Sequence, residues 1–222
     1  MRIRTPHGPH ARAAVSVAAA AVLSVTLVPT VAAPAAAETV DCTKMGPEAD
    51  DLVPSTDPGR FGFGTMFQTL ATVCLINDER QRLGLSELTF DSDLTTAART
   101  HLDASLAQKW WGPNRNPHQN PKVSGSGDEQ IGRRISNAGY CSDGSSWFGR
   151  EIVYNGWGSG AGTPKAAVNW WLNVSTQGHD RIIRDPSLTD IGAASRGGAA
   201  DRAGAGFKDA GTYVVTFGRC ER

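Results

Sequence analysis

The chain has 222 residues, of which 40% are hydrophobic and 20% charged, and its 22 basic residues balance 22 acidic ones. That is enough chain for one domain with a single buried core. No basic excess points to nucleic acid or an anionic membrane surface as a partner.

The first 37 residues read as an export leader. Arg2, Arg4 and Arg12 form a basic head, residues 13–31 are an Ala/Val/Leu run, and Ala35-Ala36-Ala37 offers a small-residue cleavage site. The run is Ala-rich and broken by Pro29, so we expect cleavage and not a retained membrane anchor. Removing the leader leaves 19 basic against 22 acidic residues, a net charge of about −3, and no integral membrane segment. Residues 38–64 hold Pro47, Pro54, Pro58 and a cluster of glycines, which is the composition of an irregular arm. We take 65–222 as the folded domain.

All four cysteines, Cys42, Cys74, Cys141 and Cys220, follow the leader. In an exported chain an even count implies two disulfides, and four cysteines allow three pairings. We favour Cys42 with Cys74, tying the arm to the first helix, and Cys141 with Cys220, tying the chain end to the segment entering the first strand. The cysteines contain no Cys-x-x-Cys pair, which argues against a cysteine zinc site.

From Thr65 the recurrence of Phe67, Leu70, Ala71, Cys74, Leu75 and Leu83 predicts a helix stopped by Gly84. A second helix follows the capping run Asp91-Ser92-Asp93, with a stripe of Leu94, Ala97, Ala98, His101, Leu102, Ser105 and Leu106. His101 lies on that stripe and is read as a core residue, outside any site. A loop spans residues 110–127, with His118 held between Pro117 and Pro121 on stiff, exposed backbone. Ile131 and Ile135 anchor a short helix, 128–138, ending at Gly139. Strand-like runs occur at 151–155, 190–194 and 212–217, the last two flanking a Gly/Ala-rich tip expected to be long and mobile. Thr163-Pro164 opens a further helix through Trp170 and Trp171 to about Val174, followed by a loop histidine, His179. Several helices around one small, mainly antiparallel sheet give an α+β, three-layer α-β-α sandwich.

Glu151 heads a run of β-branched and aromatic character, where a carboxylate costs free energy unless partnered. Arg150 beside it is one candidate partner, and a histidine is another. Trp157, between two glycines, is expected to be exposed and available to an apolar or sugar ligand. Trp170 and Trp171 suit the core. The chain has no Gly-x-Ser-x-Gly elbow, His-Glu-x-x-His pair or phosphate loop.

Four pieces in order resemble the CAP superfamily, which groups cysteine-rich secretory proteins, antigen 5 and pathogenesis-related proteins, and in particular its bacterial secreted SCP-like domains. They are Cys74-Leu75-Ile76-Asn77-Asp78-Glu79-Arg80 with Gly84-Leu85, Glu151 with Gly156, Gly178-His179-Asp180-Arg181-Ile182-Ile183 through Ile191-Gly192, and Tyr213 to Gly218. The resemblance implies an α-β-α sandwich and a groove lined by two histidines and acids, which in some members hold zinc or another divalent cation. Carried over, the groove residues are His118, Glu151 and His179, with Trp157 nearby. Two imidazoles and a carboxylate are a workable zinc set with an open position for water, and the same three side chains also suit a hydrogen-bonded tie between loops. The function expected is a secreted, non-enzymatic binding module for an extracellular lipid, glycan or protein. The alternative is a metal-assisted hydrolase acting on peptide, ester or cell-wall substrates.

Overall fold

A computed structural model describes residues 40–57 and 63–221. They fall in the second of two units into which the chain divides, Met1–Ala35 and Ala36–Arg222, and the expected export leader, residues 1–37, lies outside the described residues.

The elements run α1 (Phe63–Arg82), β1 (Thr89–Phe90), α2 (Ser92–Gln108), α3 (Gly127–Ala138), β2 (Ser146–Gly156), α4 (Pro164–Asn169), α5 (His179–Ile183), β3 (Asp190–Gly197) and β4 (Gly211–Glu221). The sheet order is β1-β3-β4-β2, with β1 parallel to β3 and the other pairs antiparallel. Side-chain alternation along the strands sends Ile152, Tyr213, Val215, Phe217 and Ala193 to one face, against Val73 and Ile76 of α1 and Val168 of α4. It sends Val153, Val214 and Ala194 to the other, against Ala98 and Leu102 of α2. Ile135 of α3 joins Leu94 and Ala97 on that side. The result is the expected α+β three-layer sandwich. Both favoured disulfides form, Cys42–Cys74 and Cys141–Cys220, with Cα separations of 5.6 and 5.9 Å.

The buried face of α1 differs from the predicted stripe. Phe67 and Leu83 are exposed, while Gln68, Thr72, Asn77 and Arg80 are buried beside Val73 and Ile76. Two of these groups, Asn77 and Arg80, are buried because they bond backbone that no ladder serves, while Thr72 donates to the Gln68 carbonyl within α1 itself. Asn77 exchanges two hydrogen bonds with the Leu88 backbone. Arg80 donates to the carbonyls of Ser86, Ile183, Asp185 and Leu188, stapling α1 to the end of α5. The stripe on α2 holds from Leu94 to Ser105, with Leu94, Ala97, Ala98, His101, Leu102 and Ser105 all buried and Leu106 at its end half-buried, and Asp91 caps the helix by accepting from the Asp93 and Leu94 amides. At Gly192 an added Cβ would lie 2.1 Å from the Thr95 amide nitrogen, so glycine lets α2 approach β3 closely.

Two other expectations change. The β3–β4 connection is packed at its base, where Ala199, Ala200 and Ala210 are buried and Lys109 donates to the Ala199 carbonyl, while residues 205–208 are exposed. Small residues there permit close packing, where composition alone suggested mobility. His179 is the first residue of α5 and is buried, not exposed in a loop. The helix opened by Thr163 continues past α4 as a π-helical turn, Trp170–Val174, a widening that is frequent near functional sites.

Candidate functional site

Glu151 lies near the middle of β2, on the face that meets α2 and α3, paired across the ladder with Thr216. Its side chain is 1% exposed, so the carboxylate has exchanged water for protein partners. Arg134 Nη2 donates to both oxygens, at 2.8 and 2.9 Å, and His118 Nδ1 donates to Oε1 at 2.9 Å. His101 Nε2 stands 3.7 Å from the same oxygen. Burial alone would raise the carboxyl pKa. Attraction from His101, the His118 bond and the charge of Arg134 reverse this and hold it at about 2, so Glu151 is a carboxylate at any pH near neutral.

Arg134 was not among the residues expected in the site. It reaches Glu151 because it sits one position before Ile135 and three after Ile131, on the side of α3 that turns toward the sheet. Start and stop of α3 are set by a capping box between Ser126 and Glu129 and by Gly139 in the left-handed region, φ 97°. Arg150, the candidate partner for Glu151, points to the opposite face, as strand alternation requires. Its guanidinium lies 4.1 Å from the centroid of Phe148.

His118 is positioned by the loop around it. Its amide donates to Asn116 Oδ1. His101 Nε2 donates to the Pro117 carbonyl, which fixes its tautomer, and Gln130 of α3 bonds the backbone of Asn120, Val123 and Gly125. His101 therefore belongs to the site as well as to the core: it pins the loop that carries His118 and faces the acid. Burial, offset in part by Glu151, lowers its pKa to about 4, and it is neutral at pH 7. With Nδ1 of His118 committed to Glu151, the free ring nitrogen of that imidazole is Nε2.

His179 does not bond Glu151. Its Nδ1 pairs with Ser175 Oγ at 2.8 Å, and its ring lies 5.4 Å from that of Trp170. Burial first, then the charge of His118, lower its pKa to about 4 against the opposing pull of Asp180. Trp157 is not part of this cluster either. It lies six residues beyond Glu151 on the β2 side of the sheet, about 20 Å of extended strand away, where it packs on Phe207. Among the described residues no group of three or more His, Cys, Asp or Glu is set out to hold a metal ion.

Over this cluster lies a cleft of about 480 Å³ lined by His118, Asp128, Ile131, Trp147, Arg150 and Ile182 among others. It crosses the outer edge of β2, from α3 on one face of the sheet to α5 on the other. Its lining combines apolar surface with one exposed cation, Arg150, one exposed acid, Asp128, and the buried Glu151. None of its lining residues is Ser, Thr, Cys or Tyr.

Residues 73–217 match the profile of the cysteine-rich secretory protein family, CAP. Among solved structures, the chain is similar to an extracellular protein containing an SCP domain from Bacillus anthracis, with a TM-score of 0.52 and 18% identity over 72% of this chain and 43% of that one. It spans less than half the length of that protein. It is also similar to an outer surface protein of Borrelia burgdorferi, with a TM-score of 0.47 and 19% identity over 67% and 90% of the two chains. A third likeness is to a cysteine-rich secretory protein of Staphylococcus aureus, with a TM-score of 0.43 and 14% identity over 74% and 41%. No curated protein matches the chain by sequence. With its fold, its disulfides and the family profile covering well over half of its length, the chain belongs to the cysteine-rich secretory protein (CAP) family.

Proposed function

We propose that the protein is a secreted, non-enzymatic binding domain that receives its extracellular ligand in the cleft over Glu151. The observation that carries this reading is the state of the acid. Hydrolysis needs a nucleophile or activated water and a base whose pKa suits the working pH. Glu151 is held as a carboxylate at about 2 with both oxygens accepting from Arg134, which leaves it a weak base. His101 and His179 are neutral with pKa near 4, and His101 is enclosed. The Glu151–His118 pair does have the form of an acid orienting a base, yet the cleft lining offers that base no hydroxyl or thiol to activate. The mixed walls suit a ligand with an apolar surface and a few hydrogen-bonding or anionic groups. The two disulfides and the leader-like first 37 residues support export.

The test is turnover. The purified chain, with and without added zinc, is assayed against peptide, ester and cell-wall glycan substrates alongside His118→Ala. No turnover above the buffer rate is expected. Turnover in the wild type that His118→Ala abolishes would refute the binding reading and favour the hydrolase.

A further inference from the structure

We propose that Arg134 is the specificity-determining residue of the cleft: it supplies the counter-charge of Glu151 from within the fold and closes the His118, Glu151 and His179 set to divalent ions. A zinc centre on these three residues would draw on Glu151 as its anionic ligand. Both of its oxygens accept from Arg134 Nη2, at 2.8 and 2.9 Å, and Oε1 accepts from His118 as well. A metal bonded to that carboxylate would have to displace a guanidinium cation that bridges both oxygens. The alternative is for the ion to sit beside that charge, where repulsion is strong because the Glu151 and Arg134 side chains are only 1% and 12% exposed. Nδ1 of His118 is turned to Glu151 and Nδ1 of His179 to Ser175. What remains is two imidazole Nε2 atoms with no anionic ligand, too few for zinc at physiological concentration.

The same arrangement shows what Arg134 gives the cleft instead. The Arg134 and Glu151 charges offset one another, and His118 is held by its Nδ1 bond with Nε2 left for a ligand. Arg134 would play this part whether the cleft only binds its ligand or also turns it over, so this proposal and the binding reading fail independently.

The experiment uses the full disulfide-bonded chain and zinc as the probe. In the wild type, zinc up to about 1 mM should leave the His118 ring resonances unshifted in NMR and give no His118-dependent heat in calorimetry. Arg134→Gln keeps two donors near Glu151 but removes the cation. It should bind zinc at least about tenfold more tightly than wild type, and His118→Ala in that background should abolish the gain. A wild-type zinc response lost in His118→Ala would overturn the proposal. So would a cooperatively folded Arg134→Gln with no gain. If Arg134→Gln does not fold, Arg134→Met takes its place: the same gain in zinc affinity upholds the proposal, and a folded Arg134→Met with no gain refutes it.

Discussion

Arg134→Ala is expected to be among the most destabilising single substitutions in the domain outside its hydrophobic core. It removes the guanidinium that bridges both Glu151 oxygens and leaves a carboxylate that is 1% exposed with the His118 bond as its remaining direct partner. His101 at 3.7 Å gives little help near pH 7, because burial keeps it neutral. Breaking a buried pair from one side costs about 3–5 kcal/mol, since the surviving charge is uncompensated, and a domain of this size has only about 5–15 kcal/mol in total. Glu151→Gln should cost less, about 2–3 kcal/mol, because the amide oxygen still accepts from Arg134 or His118. The double replacement Arg134→Met with Glu151→Leu should return close to wild type, since no charge is then buried. Urea unfolding at pH 7, followed by tryptophan fluorescence with near-UV circular dichroism to confirm the native state, measures all four proteins. A cost below about 1 kcal/mol for Arg134→Ala, or a double variant as unstable as the two single changes added together, would refute the account of the site as a buried, mutually dependent pair.

Two further outcomes follow from the same physics. His101 and His179 have folded pKa values near 4, below their ordinary 6.5, so the unfolded chain binds more protons in that interval. Stability should be full above about 6.5 and fall as pH drops toward 4, with a second loss between 4.5 and about 2 as Glu151 titrates. Urea midpoints measured against pH should show this fall, and His179→Gln should flatten the upper part of it. Replacing the fully buried Arg80 by Met leaves four carbonyls without their donor and should cost about 3 kcal/mol, read from the same unfolding curves. A loss under about 1 kcal/mol would show that α1 does not depend on this staple.

The fold was legible wherever periodicity and burial agree. On α2 every expected stripe position from Leu94 to Ser105 is buried, because that helix packs flat on a sheet along one continuous face. On α1 the agreement broke. The helix must serve loop carbonyls as well as the core, so Asn77 and Arg80 went inside while Phe67 and Leu83 stayed out. β1 was missed because two residues are too few to show alternation. Within the site, Glu151 and His118 were readable as an acid and a loop histidine, and the structure joins them. Arg134 and His101 were not read as site residues, for the same reason: each lies on a helix face whose spacing announces core. The available signal was that Arg134 shares the Ile131–Ile135 face, and an arginine on an apolar face implies a buried anion.

A buried ion pair is a poor way to stabilise a sheet, since well-packed apolar residues of the same volume usually serve equally well or better. Val153, next on the same face of β2, shows the ordinary solution two residues away, buried against Leu102 and Val214. A pair at Glu151 is therefore explained by what it holds more than by what it contributes to folding. Three contacts converge on the placement of His118: its Nδ1 bond to Glu151, the Asn116 bond to its amide, and the His101 bond to the carbonyl preceding it. Each fixes a different part of the residue, respectively ring rotation, backbone turn and loop position. That degree of constraint on a side chain still 22% exposed at the lip of a cleft is more than a loop tie requires. It suits the ligand contact proposed for His118, because a rotamer fixed in advance loses little entropy on binding. The buried pair in the sheet and the exposed nitrogen in the cleft are thus two ends of one device, and Arg134 is the part that keeps it charge-neutral.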